Sequence, residues 1–210
     1  MAMWAGGLCL VGALVARWGI VGPGFVWLVG GVAAGIGLVT AFASPLGIVG
    51  VVLAGVGAAL ARRPLYAVAA FAVAGLFFGG LAVVRNSLLP VVTGTVALGG
   101  ITGEMMLGHW YLVDPRLPRW ALRRLDAAGA VGVVADLAVA AWRGTLASLT
   151  DIFGVALIGL GAVTLALSVG VWYSLKEKGY EGVMAATGLS YLATLTVLAV
   201  VFLARAGSLV

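Results

Sequence analysis

Gly103-Glu104-Met105-Met106-Leu107-Gly108-His109-Trp110-Tyr111-Leu112-Val113, running on into Asp114-Pro115-Arg116-Leu117-Pro118-Arg119-Trp120, is an apolar run that meets a basic, proline-marked loop. A chain reads this way where it leaves a bilayer: an apolar helix ends, aromatic residues sit at the boundary, and arginines follow. The stretch also holds the only histidine of the chain, His109, and an acid inside an apolar run, Glu104. The same pattern, an apolar run closed by Gly, Pro or basic residues, repeats on both sides of it.

The composition agrees. Of 210 residues, 63% are hydrophobic and 9% charged, against about 25% charged in a soluble domain. The mean hydropathy is +1.20. No segment is polar and long enough for an extramembrane domain, so residues 1–210 read as a single transmembrane domain with the lipid bilayer as its main partner. Glycine, 33 residues, is about twice its usual ~7% share, which in lipid favours close approach of helices. The net charge of +5 lies in inter-helix loops, where membrane topology accounts for it and nucleic acid need not be invoked. The single Cys9 excludes an intrachain disulfide. No basic leader precedes a short apolar core, so a cleaved signal peptide is not expected.

Eight apolar segments are expected, at about 2–20, 24–43, 46–61, 65–84, 88–113, 127–142, 145–174 and 182–204. The fold class is therefore all-α: a polytopic membrane helix bundle of eight transmembrane helices, or seven if the first lies at the interface. Basic residues give the orientation. Arg17, Arg62, Arg63, Arg116, Arg119, Arg123, Arg124, Lys176 and Lys178 follow the odd-numbered segments, whereas only Arg85, Arg143 and Arg205 follow the even ones. The positive-inside rule then places both termini on the outer side and the basic loops in the cytoplasm, as in a bacterial-type inner (plasma) membrane.

Helix contacts are expected at the GxxxG spacings Gly31/Gly35, Gly75/Gly79 and Gly99/Gly103, where small residues let backbones meet. Residues 114–126 read as a short basic amphipathic helix on the inner leaflet. Leu117, Trp120, Ala121 and Leu125 face one way, Arg116, Arg119 and Arg123 the other, the latter near anionic lipid. Pro118 suits its first turn.

Ionisable residues within a span are costly and are candidates for function. Glu104 lies ten residues before Asp114, and Asp136 ten residues after Asp126. With a loop at 114–126, both acids stand roughly 15 Å deep. Small-residue stripes, Ala97, Gly100, Glu104 and Gly108 on one helix and Gly129, Gly132, Asp136 and Ala140 on the next, would bring them together. Two carboxylates sharing a dry site call for a proton or a cation between them. Glu104 and Asp136 are thus the expected proton-handling pair. Asp151, with Arg143 and Arg85 assigned to the same side, reads as part of an interfacial ion pair.

His109, with Met105 one turn away and Trp110 and Tyr111 beside it, could bind the head group of a quinone-like molecule. Such a ligand needs a hydrogen-bonding group, an aromatic wall and a proton route. A histidine supplies the first and exchanges protons near neutrality. Glu104 lies five residues away, about 140° around the helix, so the two do not converge on one point. An aromatic belt at the head groups also explains His109, Trp110 and Tyr111. One histidine cannot make a bis-histidine haem site, and Met105 with His109 lacks further soft ligands for copper, so no metal site is expected. Phosphate-binding loops, dinucleotide fingerprints, zinc spacings and nucleophile elbows do not occur.

Three functions fit. The first is a small membrane subunit of a redox or energy-converting system, binding a quinone and moving protons through Glu104 and Asp136. The second is a proton- or cation-coupled transporter using the same carboxylates. The third is a non-catalytic scaffold assembled with other membrane subunits or with copies of itself. Whether the protein is an enzyme is left open by the sequence.

Overall fold

The computed structural model describes residues 1–144 and 152–206. Among these it contains eight α-helices and no strand: α1 Ala2–Trp18, α2 Pro23–Ala43, α3 Gly47–Ala59, α4 Pro64–Val83, α5 Leu88–Trp110, α6 Arg119–Trp142, α7 Ile152–Ser174 and α8 Tyr180–Ala206. The chain is a helical membrane bundle, as its composition requires. Six helices (α2 and α4–α8) are long and apolar enough to cross a bilayer, while α1 and α3 are shorter. The 13 residues of α3 rise only about 20 Å, against a hydrocarbon core of about 30 Å. Asp151 lies outside the described residues.

Local chemistry sets the helix ends. Pro23 and Pro64 open α2 and α4, where the missing N–H costs no intrahelical bond. Gly19, at φ 65°, closes α1 in the left-handed conformation and turns its N–H back to the Ala16 carbonyl.

The helices form two compact units, residues 1–91 with 116–118 and residues 92–115 with 119–210. The first unit holds α1–α4 and is organised by two phenylalanines of α4. Phe71 and Phe78 are two turns apart, on one face, and both are fully buried. Glycines on the other three helices make room for them. Gly12, Gly30 and Gly57 surround the Phe71 ring, and Gly37 and Gly50 flank Phe78. A Cβ added at Gly57 would come within 2.6 Å of the Phe71 ring, and one at Gly50 within 2.6 Å of Phe78. Of the glycines at the expected GxxxG spacings, Gly31, Gly35 and Gly79 face open space, Gly75 is tight against Leu10 and the Gly6 carbonyl, and Gly99 and Gly103 are buried.

The second unit holds most of α5 and all of α6–α8. Its seam is the antiparallel contact of α5 with α6. A Cβ on Gly100 would lie 2.4 Å from the Gly129 nitrogen, and one on Gly132 2.4 Å from the Ala97 nitrogen. On α7, Gly161 receives Leu137 of α6. The Thr164 hydroxyl bonds that of Thr196 on α8 at 2.8 Å.

One expected boundary is corrected. The basic amphipathic segment is not a separate loop helix at 114–126. Only 111–118 is non-helical, and from Arg119 onward the segment forms the first two turns of α6. Pro118 disfavours helical backbone at Leu117 before it, so the helix begins after the proline. Ala121, Leu122 and Leu125 are buried, so these turns belong to the bundle. Two of the arginines also have protein partners. Arg119 donates to the carbonyls of Glu177, Lys178 and Gly179, the last two at 2.9 and 2.8 Å. Arg123 donates to the Leu175 carbonyl at 2.8 Å and lies over the Trp172 ring. Arg123 meets the C-terminal end of α7, where carbonyls lack intrahelical donors, and Arg119 the turn between α7 and α8.

Candidate functional site

Position on the helices decides which acids meet. The α5–α6 seam pairs Thr93 with Asp136, Ala97 with Gly132, and Gly100 with Gly129. Each step of four or three residues along α5 matches the same step back along α6. One step further places Glu104 beside Leu125 and Asp126. Glu104 is six residues from the end of α5 and Asp126 seven from the start of α6, about 9–10 Å from the 111–118 connection in each case. Asp126 is close enough to Glu104 to act on it electrostatically.

Glu104 and Asp136 are therefore not neighbours, contrary to the expectation. Asp136 is level with Thr93, eleven residues along α5 from Glu104, or about 16 Å. The reason is the early start of α6: Asp136 is seventeen residues into that helix, not ten past a loop.

Around Glu104 all four helices of the second unit contribute a polar group. Glu104 on α5 is 1% exposed and Asp126 on α6 is 4% exposed. The Ser190 hydroxyl of α8 hydrogen-bonds Glu104 Oε2. Glu104 Oε1 is buried and has no hydrogen-bond partner. Ser168 of α7 lies beside Asp126 without completing a hydrogen bond to it, and its Oγ is buried and unpartnered. Among the described residues, no ion pair neutralises either carboxylate, and no group of three metal-ligating side chains exists. Unpartnered buried oxygens and an unmatched carboxylate are expensive in a dry interior.

Asp136 is different. Its two oxygens take both terminal nitrogens of Arg205 on α8, Nη1 on Oδ2 and Nη2 on Oδ1 at 2.7 Å, and Oδ1 also accepts from the Thr93 hydroxyl. Its charge is matched and its lone pairs are used. The second unit thus has two polar layers, a paired one at Thr93, Asp136 and Arg205 and an unpaired one at Glu104, Asp126, Ser168 and Ser190.

Of the residues expected to bind a ligand around His109, three meet α8: Met105 at Thr194, His109 at Tyr191 and Tyr111 at Tyr180. His109 is exposed, with Nδ1 3.2 Å from the Tyr191 hydroxyl and the rings edge to face at 6.4 Å. Five residues from the buried Glu104, the imidazole lies on an exposed face of α5 beside α8. Met105 is half-buried, and its Sδ accepts from Thr194 at 3.6 Å. Tyr111 is buried with its ring 6.2 Å from that of Tyr180. Trp110 is half-buried at the end of α5.

Asp126, Ser168, Ser190 and Arg205 escaped the sequence reading. Asp126 and Arg205 looked like loop residues at helix ends. Ser190 had a visible signal: Thr187, Ser190 and Thr194 follow at three- and four-residue steps, one face of a helix, and all three are buried. Ser168 had a weaker one: Thr164 precedes it by four residues, on the same helix face, and both are buried.

Comparison of the chain with protein-family models, curated proteins and solved structures finds no match.

Proposed function

We propose that the protein is a small membrane transporter in which solute movement is coupled to a proton or small cation held at Glu104. One observation carries this reading. A carboxyl group that is 1% exposed, with an unpartnered oxygen and a second carboxylate close by, sits in the interior of a membrane bundle with no cation to match it. Such groups mark proton and ion pathways in membrane proteins. The exposed His109 withdraws the support that an inward imidazole would have lent to quinone binding. Asp136, held by Arg205, is assigned a structural role.

The distribution of Lys and Arg supports placing the 111–118 connection and the α7–α8 turn on the cytoplasmic side of a plasma membrane, with the N-terminus outside. Glu104 and Asp126 then lie nearer the cytoplasmic end.

The test is flux. The protein is reconstituted in liposomes enclosing a pH-sensitive dye, and a panel of amino acids, sugars and small organic ions is presented outside. At least one solute should drive proton or cation movement, and Glu104→Gln should abolish it. If no solute does so, and a pH jump evokes no charge displacement, the transport reading falls.

A further inference from the structure

The hydrogen bonds around Ser190 narrow the choice between a proton and a metal cation. Ser190 Oγ contacts two acceptors, Glu104 Oε2 and, at 2.8 Å, the Ala186 carbonyl. A serine has one proton to donate. If it goes to Ala186, the contact with Glu104 is a hydrogen bond only when Glu104 carries a proton and donates it to Ser190 Oγ. The chain Glu104 to Ser190 to Ala186 then has a donor at every step.

The donor set disfavours a metal ion. Hard cations take about six or more oxygens, and sodium sites in transporters recruit the backbone carbonyls of broken helices. Here α5, α6, α7 and α8 run unbroken past the site, so their carbonyls are engaged in the helices. That leaves Glu104, Asp126, Ser168 and Ser190, and Ser190 Oγ is already used on both sides.

We propose that Glu104 is a proton-binding site and that Ser190 is its switch. In the protonated state Glu104 is neutral and donates to Ser190, while the negative charge of the site rests on Asp126. When the proton passes to a water molecule of the bathing solution, forming an O–H bond there, the Ser190 hydroxyl rotates from the Ala186 carbonyl to the new Glu104 carboxylate. One O–H bond breaks at Glu104, and one hydrogen bond is exchanged at Ser190. Ala186 keeps its role as acceptor in the helical ladder of α8, so the rotation leaves the backbone intact. Within this unit the other charged or titratable groups on the packed helices are His109 on α5, Arg119, Arg123, Arg124, Asp126 and Asp136 on α6, Tyr173 on α7, and Tyr180, Glu181, Tyr191 and Arg205 on α8, of which Asp136 and Arg205 neutralise each other in the other polar layer and Asp126 acts on Glu104. Of these, Arg123 is engaged at the Leu175 carbonyl, and His109 and Tyr191 are exposed. Asp126 is thus the group that tunes the site. The proposal rests on the transport reading for its purpose, though not for its evidence.

Infrared difference spectroscopy on the purified full chain in lipid nanodiscs tests it without any solute. At neutral pH the wild type should show the carbonyl stretch of a neutral carboxylic acid, shifted in D2O. The band should vanish in Glu104→Gln, move in frequency in Ser190→Ala, and be unchanged by saturating sodium or lithium chloride. A band removed by either salt overturns the assignment in favour of a cation site. So does the absence of the band from the wild type, which needs no variant to fold. If the band behaves as expected but the liposomes show no coupled flux, the proton site stands and the transport reading fails.

Discussion

Arg205 grips Asp136 with both terminal nitrogens of its guanidinium, joining the last turn of α8 to α6 through a fork in which Asp136 is 2% exposed. A bidentate pair of this kind is geometrically specific, and its loss leaves a buried charge with no counter-ion. Arg205→Gln should therefore destabilise the protein by about 3–5 kcal/mol. The double change Asp136→Leu with Arg205→Leu should recover most of that loss, because apolar isosteres remove both charges together. Thermal unfolding in detergent compares the two. Equal losses would mean that the pair stabilises the protein by more than charge matching. Neither variant should remove a neutral-acid infrared band that belongs to Glu104.

The α5–α6 seam makes a second prediction. A Cβ on Gly132 would stand 2.4 Å from the Ala97 nitrogen, and backbone cannot yield as a flexible side chain does. Gly132→Ala should force the helices apart at a cost of about 1–3 kcal/mol. Gly35→Ala, in open space, should be neutral or slightly stabilising, since alanine is the better helix former. The comparison is a thermal melt of each variant under one detergent condition. A harmless Gly132→Ala would contradict the close seam, and with it the alignment that sets Glu104 beside Asp126.

That alignment shows where sequence reading succeeded and where it stopped. Helix number and order followed from apolar runs punctuated by Gly, Pro and Arg, because a bilayer penalises every polar interruption. The hairpin logic that two acids equidistant from one connection share a level was sound. It was applied to Asp136 because residues 119–126 carry four charges, Arg119, Arg123, Arg124 and Asp126, and so read as outside the span. Tertiary contacts made those residues helical: Arg123 finds a carbonyl at the end of α7 and Arg119 those of the α7–α8 turn, and Leu122 and Leu125 find the core. Partners far away in sequence leave no local trace. The same holds in the first unit, where five close glycines face Phe71 and Phe78 and, of those spaced by four, Gly75 alone is tight.

Arg119 bridges three consecutive carbonyls of the α7–α8 turn, at Glu177, Lys178 and Gly179. The guanidinium is near the surface, so the energetic contribution is modest, about 1 kcal/mol once solvent competition is allowed for. The local effect should be larger than the global one. Arg119→Ala should speed proteolytic nicking between residues 175 and 180 while moving the melting temperature little. Arg119→Lys should only partly rescue it, because one ammonium cannot span three carbonyls as a planar fork does. Unchanged cleavage kinetics in Arg119→Ala would show that the turn holds itself.

His109 provides the sharpest separation between the functional readings. Its ring is exposed and meets Tyr191 edge to face, with Nδ1 3.2 Å from the tyrosine hydroxyl. His109→Phe keeps an aromatic edge against Tyr191 and loses one surface hydrogen bond, so stability should change by no more than about 0.5–1 kcal/mol. If the chemistry resides at Glu104 and Asp126, flux in liposomes should remain within about twofold of wild type, a barrier change of about 0.4 kcal/mol. Glu104→Gln should abolish flux in the same assay. The opposite ranking, with His109→Phe inactive and Glu104→Gln active, would move the functional centre to the surface of α5 and α8. It would restore a lipid-soluble ligand as the partner of the imidazole, and Tyr191→Phe should then be impaired as well, because the hydroxyl that orients the ring would be gone.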